Sequence, residues 1–317
     1  MSNVKKDYLH EINERFPIRK RTEQKEEFLA WAKAEAESLG YRAKVEEAGE
    51  KQQHHNLVIG DAKHAKVVFT AHYDTPANNL LPNIMMPRNL PLFLLYTMLI
   101  VSILLVFGFS AMALGGLIAP GTALPMLMYL VVYFGMMMLL MRGPANKHNV
   151  NDNTSGVSAV FALMASLPEE ERAKAAFILF DNEEKGKLGS KAYAKAHPEI
   201  ASLKLFVNMD CVGVGDNILV LPRRMARVHP LYEKLEACFR DIGSKHAMFF
   251  PPFGTVCNSD QNNFECGVGV VACKKAPVVG YYTARIHTRY DTVADKANID
   301  YLAENLTGFV SSLEADE

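Results

Sequence analysis

Cysteine is sparse and unpaired in this chain: five residues (Cys211, Cys238, Cys257, Cys266 and Cys273), none in C-x-x-C spacing. That excludes a zinc ribbon or a disulfide framework and leaves reduced, buried thiols. Net charge is almost absent as well, −1 at pH 7 with a pI near 6.8, so the overall balance gives no case for nucleic acid. The first residues (Met1, Lys5, Lys6, Asp7, Glu11) are too polar to be expected to act as a secretory signal. Charge disappears altogether between Asn89 and Met141, in a chain that is otherwise 22% charged. An uncharged run of that length inside a chain excludes an ordinary solvated surface.

What remains reads as strands alternating with helices. The 317 residues suffice for one large α/β domain or two ordinary ones. Helices are expected over Thr22 to Leu39, Asn151 to Leu167, Gly189 to Ala196, Pro230 to Ile242 and Ile299 to Leu313. Strands are expected over Tyr41 to Val45, Asn56 to Gly60, Lys66 to Ala71, Ala176 to Phe180, Leu203 to Met209, Ile218 to Leu221 and Val268 to Ala272. Such alternation gives an α/β fold with a mostly parallel central sheet flanked by helices.

The polar residues at the strand ends carry the chemistry. Phe177 to Phe180 is a short apolar run that stops at Asp181, Asn182, Glu183 and Glu184. Adjacent carboxylates at the carboxyl end of a buried strand are costly unless a cation compensates them; alone they would read as a solvated pair on a loop, but that edge is where open α/β sheets bind ligands. Other strand ends and helix starts deliver His72, Asp74, Asp152 and Asp210, and a late loop carries His287, Asp291 and Asp295. Two imidazoles among several carboxylates are a donor set suited to a hydrolytic metal site. Their spacing excludes a helical H-E-x-x-H site. Two metals sharing a carboxylate would clamp water and carbonyl, with one acid left free as a base.

The motifs His72-Tyr73-Asp74, Asp152-Asn153-Thr154-Ser155-Gly156-Val157, Phe180-Asp181-Asn182-Glu183-Glu184-Lys185-Gly186, Asn208-Met209-Asp210 and His287-Thr288-Arg289-Tyr290-Asp291-Thr292 carry a resemblance. The chain resembles the co-catalytic di-zinc aminopeptidase family, whose relatives include glutamate carboxypeptidases, glutaminyl cyclases and transferrin-receptor ectodomains. The resemblance covers nearly everything except residues 81–147. It implies two divalent metal ions, zinc by family habit. Asp152 would bridge them, His72 and Asp210 would complete one metal, and Glu184 and His287 the other. Glu183 would be the general base, and Asp74 would orient the His72 ring. The peptide bond after Asp152 would be cis. Two positions depart from the family: Ile286 stands where some relatives have a Tyr before the last His, and Ser259-Asp260-Gln261 replaces a Ser-Asp-His segment.

The uncharged run is expected to form an inserted helical transmembrane hairpin within residues 81–147, the alternatives being a re-entrant hairpin, a hydrophobic lid or an oligomer interface. Leu90 to Leu114 and Pro125 to Met141 would be the two spans, and Gly115 to Gly121 the turn. The peptidase domain would comprise residues 1–80 and 148–317. Arg88, Arg142 and Lys147 flank the run, so the positive-inside rule places the catalytic domain in the cytoplasm. The expected function is a membrane-anchored aminopeptidase acting on peptides with a free amino terminus. A single-zinc glutaminyl-cyclase-like acyl transferase and a non-catalytic membrane scaffold are the competing readings. Metal content separates the last of these, and the nature of the released product separates the others.

Overall fold

The computed structural model describes residues 6–50, 53–79, 81 and 83–314; residues 1–5 and the expected domain boundary at Leu80 lie outside them. The strands are β1 (Ala43–Ala48), β2 (His54–Ile59), β3 (Val67–His72), β4 (Asn83–Met85), β5 (Ala175–Phe180), β6 (Leu205–Met209), β7 (Asn217–Pro222), β8 (His246–Phe249), β9 (Gly267–Ala276) and β10 (Gly280–Ile286). The helices are α1 (Tyr8–Arg15), α2 (Thr22–Ser38), α3 (Leu90–Ile118), α4 (Leu124–Arg142), α5 (Gly156–Ser166), α6 (Leu188–Ala196), α7 (Pro198–Leu203), α8 (Arg224–Arg227), α9 (Pro230–Cys238) and α10 (Lys296–Ser311).

All strands join one sheet, ordered β1-β2-β5-β3-β6-β9-β10-β4, with β7 beside β9 and β8 beside β7. The expectation of a mostly parallel sheet holds only at its centre. There β5, β3, β6 and β9 run parallel, whereas β1, β2, β10 and β4 join their neighbours antiparallel, and β7 lies antiparallel to β9 but parallel to β8. The reason is local. β1–β2 and β9–β10 are joined by short turns, and a short turn can only reverse the chain.

β3, β5 and β6 are buried along their whole length, which explains their unbroken apolar sequences. Alternate residues serve opposite faces. Val67, Phe69, Phe177, Leu179 and Val207 pack beneath α1, α2, α5, α9 and α10. Val68, Ile178, Phe180 and Phe206 pack with Tyr193 of α6 and with Phe264. Each large side chain buried this way contributes roughly 1.5–3 kcal/mol.

The uncharged run forms α3 and α4, an antiparallel pair. Gly115 to Ile118, expected in the turn, belong instead to α3, and the chain reverses over 119–123. The glycines are contact points. A Cβ on Gly115 would lie 2.9 Å from the Pro125 Cα, and one on Gly108 would lie 2.9 Å from the Tyr129 ring. Their absence of a side chain lets the two helices approach closely.

Candidate metal centre

The parallel centre of the sheet sets the site. β3 and β5 run in register with His72 opposite Phe180, so His72 and the turn after Phe180 emerge at one edge. β6 ends one residue before Asp210, and β10 ends one residue before His287. The fifth contributor is Asp152, in the irregular segment Val150–Ser155 that precedes α5; the Asp152–Asn153 peptide bond is cis.

These side chains converge. The two carboxylate oxygens of Asp152 face different imidazoles: Oδ1 lies 3.3 Å from His72 Nε2 and Oδ2 lies 2.9 Å from His287 Nε2. Asp210 Oδ1 is 3.7 Å from His72 Nε2, and Glu184 Oε2 is 3.4 Å from His287 Nε2. Two triads share Asp152: His72 with Asp210, and Glu184 with His287. In each, one donor atom per residue lies within 4.8 Å of the others. Glu183 falls within the same distance of His72 and Glu184.

Backbone groups hold the ligands from behind. Asp74 Oδ1 accepts the Glu183 amide at 2.9 Å, and Oδ2 accepts that of Glu184 at 3.3 Å. The His72 Nδ1 lies 3.2 Å from the Asp74 carbonyl, a contact that leaves Nε2 free for a cation. Asp291 accepts the amides of Asn151 and Asp152 at 2.9 and 3.0 Å. The Asn153 side chain donates to the Met209 carbonyl and accepts from Cys211 N, bracketing Asp210. The carboxylate of Asp181, by contrast, is neutralised within the protein by Lys25 of α2, at 2.5 Å.

Charge is out of balance at this edge. Burial pushes the Glu184 carboxyl up to about 8, with Asp152 adding to the rise and the imidazoles opposing it. Burial also holds Glu183 well above the usual carboxylate range. His287 is raised to about 9; burial opposes its charge, but Glu184 and Asp152 outweigh it. His72 is raised in the same way by Asp152, Asp210 and Asp74. Asp152 itself is held below its ordinary value, because His287 and His72 overcome its burial. The raised carboxyls and imidazoles mark a surplus of buried carboxylate, which a divalent cation would offset with the imidazoles as neutral ligands. Glu184 Oε1 and Asp210 Oδ1 are buried without a hydrogen-bond partner, as donors awaiting a cation would be. The donor set fits such an ion.

Arg19 carries no signal in the sequence, and Asp260 shows there only within the segment that departs from the family. Arg19 is fully buried against the site, donating to Tyr73 O, Phe16 O, Asn149 Oδ1 and Thr154 Oγ1. Burial lowers its pKa to about 10 despite the nearby charges of Asp74 and Asp152. Asp260 is also fully buried; it accepts from Ser190 Oγ at 2.5 Å, and burial brings its carboxyl up to about 7. The cleft over the site has a volume of ≈ 420 Å³. Its walls include Glu183, Glu184, Asp210, Ile286 and His287, together with Phe93 from the first turn of α3. Ile286 thus lines the cleft where the resemblance leads one to look for a Tyr, and Tyr281 instead packs on Phe250. A larger depression, of ≈ 940 Å³, is lined by Tyr41, Lys63 and His197 and holds none of the converging side chains.

The fold has counterparts among solved structures. The fold resembles that of a zinc-dependent exopeptidase from Parabacteroides distasonis, with TM-score 0.57, 13% identity and 96% of either chain covered. It also resembles a glutaminyl cyclase from Porphyromonas gingivalis (TM-score 0.54, 13% identity, 96% of this chain and 95% of that one). A leucine aminopeptidase precursor from Bacteroides thetaiotaomicron gives TM-score 0.56 at 12% identity, covering 97% of this chain and 95% of that one. At such identities the likeness is one of fold. No curated protein matches the sequence. The model of peptidase family M28 matches residues 139–310, more than half of the 317 residues, and the chain belongs to that family.

Proposed function

We propose that the protein is a membrane-anchored metallo-aminopeptidase that removes amino-terminal residues from peptides. The family makes it a peptidase-like hydrolase that depends on a divalent metal. The observation that carries the finer reading is Asp152, whose two oxygens serve two histidines in two triads. His72, Asp152 and Asp210 would hold one ion, and Asp152, Glu184 and His287 the other; zinc is the ion proposed. Bound there, the ions would supply Lewis-acid polarisation of the scissile carbonyl and a nucleophilic water near neutral pH.

The chain's own residues do the rest. Glu183, beside His72 and Glu184, takes a proton from water as hydroxyl adds to the carbonyl carbon. It returns that proton to the departing amine as the C–N bond breaks. Asp74 positions Glu183 and His72 together. Asp260 and Arg19 close the site from behind, where water would otherwise solvate the carboxylates.

α3 and α4 are proposed as a two-span anchor, with the catalytic domain cytoplasmic. α3 has 29 residues with mean hydropathy 2.6 over its most apolar window, of which 11% is buried against the rest of the chain. A core helix would be buried. The apolar part of α4, Leu124–Leu140, is shorter than a full span and lies near the lower limit. The two ends of the insert meet, because Asn78 N bonds to Pro144 O at 2.8 Å and Ala77 bridges Ala145. We therefore divide the chain into a discontinuous peptidase domain (1–80 and 148–317) and a hairpin (81–147) that lends β4 to the sheet.

The test is metal content of the detergent-purified protein, with hydrolysis of leucine p-nitroanilide before and after chelation. Two bound ions and chelator-sensitive hydrolysis are expected. One ion, with ammonia released from glutaminyl peptides, would favour the cyclase reading. A metal-free, inert protein would leave a scaffold.

A further inference from the structure

Around the foot of the hairpin the peptidase domain presents a surface that the anchor alone does not require. Asn89 caps α3 with its side-chain oxygen, and its amide nitrogen donates to the carbonyls of Val278 and Val279 in the β9–β10 turn. Arg88 donates to Phe253 O and Thr255 Oγ1 and lies over the Phe250 ring, its guanidinium carbon 4.6 Å from the centroid. Two loops are thus pinned at the point where the apolar helix begins. Their tips are bare: Val278 is 91% exposed and Phe253 is 73% exposed. Val278 has φ +66°, a backbone region unfavourable to a β-branched residue, so its place at the tip is not a matter of turn preference.

From Lys274 to Tyr290 the sequence carries charge of one sign. Lys274, Lys275, Arg285 and Arg289 lie on β9, on β10 and in the loop after it, and no Asp or Glu occurs between Lys274 and Tyr290. Arg285 and Arg289 line a cavity of ≈ 480 Å³ with Asn78, which is tied to the foot of α4 through Pro144. In a chain of net charge −1 this is a local concentration, continuous with the apolar hairpin.

We propose that this collar docks on an anionic lipid bilayer, with Phe253 and Val278 inserted at the acyl boundary and the four cations at headgroup level. The inference rests on reading α3 and α4 as a membrane anchor. Exposed apolar tips beside unopposed cations are what an interfacial surface uses: apolar area for depth, charge for anionic headgroups. The aqueous alternative leaves a Phe and a Val in water beside a helix that already needs lipid. Because Phe93, one turn into α3, lines the catalytic cleft, the collar sets the cleft at headgroup level. The substrates it suits are amino-terminal segments of membrane-attached polypeptides.

The full-length protein, reconstituted in vesicles of phosphatidylcholine with phosphatidylglycerol, tests this through quenching by acyl-brominated lipid. Trp31, the single tryptophan, packs against Phe16 and Phe28 in the core and gives the background. F253W and V278W are expected to add emission that brominated lipid quenches about twofold. In the F253W protein, K274E with K275E is expected to remove that quenching in anionic vesicles. Circular dichroism and metal content check that each variant is folded. Carbonate extraction in parallel reads the hairpin alone. Retention in the membrane with unquenched tips overturns the collar and leaves the anchor. Quenched tips in protein that carbonate releases keep the collar and overturn the anchor. Quenching that is equal in pure phosphatidylcholine and indifferent to charge reversal overturns the choice of anionic lipid.

Discussion

The catalytic edge and the hairpin solve opposite problems. At the catalytic edge polar groups are buried, and most are held by another: Asn153, Asp291, Arg19 and Asp74 each hold backbone groups, and Arg19 holds two side chains besides. In the hairpin apolar groups face outward. Leu95 is 61% exposed and Leu99 is 55% exposed, and apart from the capping groups at its ends α3 presents little to bond with. The same residue type therefore means different things in the two regions. A Leu in β5 measures packing, and a Leu in α3 measures the solvent around it.

Substitutions can break that contrast or sharpen it. The largest effect is expected from Glu183→Gln, which should lower turnover by ~10²–10⁴ while both ions stay bound. Glu184→Gln should instead release metal, and the reverse pattern in metal analysis would exchange the two roles. Next is Leu179→Ala in β5, where the side chain is wholly buried; it should cost ~2–5 kcal/mol of stability, read from denaturant unfolding. Leu99→Arg attacks the other region, disfavouring insertion by ~2.5–3.5 kcal/mol, and should shift protein from the carbonate-resistant to the soluble fraction. Asp74→Asn should reduce metal affinity or activity by ~10–100-fold, measured by chelator competition, without altering membrane retention. The smallest effect is that of Leu99→Ala, within about 0.5 kcal/mol in unfolding. A loss as large as that of Leu179→Ala would show α3 packed as a core helix and undo the contrast.

The fold and site were legible to different degrees. β3, β5 and β6 announced themselves because burial on both faces leaves an unbroken apolar run ending in a polar residue. His72, Glu184 and Asp210 were legible for the same reason, since each ends or follows such a run, whereas Asp152 and His287 were legible only through the motifs around them. β10 was not, because it is a half-exposed strand whose Tyr281 and Tyr282 resemble a loop, and β4 is only 3 residues long. Gly115 and Gly116 invited a turn, since a sequence shows the missing side chain and not the Pro125 backbone that needs the space. Arg19 is the hardest case. It sits in a basic stretch with Arg15, Lys20 and Arg21, and only the tertiary fold, by aiming the Tyr73 and Phe16 carbonyls at one guanidinium, decides which cation is buried.

Asp74 has a consequence for how the site can vary. One carboxylate fixes the amides of Glu183 and Glu184, and its own carbonyl meets the ring of His72. The base, one ligand of each triad and the two strand ends that carry them therefore lean on a single residue. Lengthening that side chain by a methylene, as in Asp74→Glu, would displace Glu183 and Glu184 together, while the contact with His72 stays with the backbone carbonyl. Drift at this position therefore shifts the base and the Glu184 ligand as one, and neither can be retuned from here without the other.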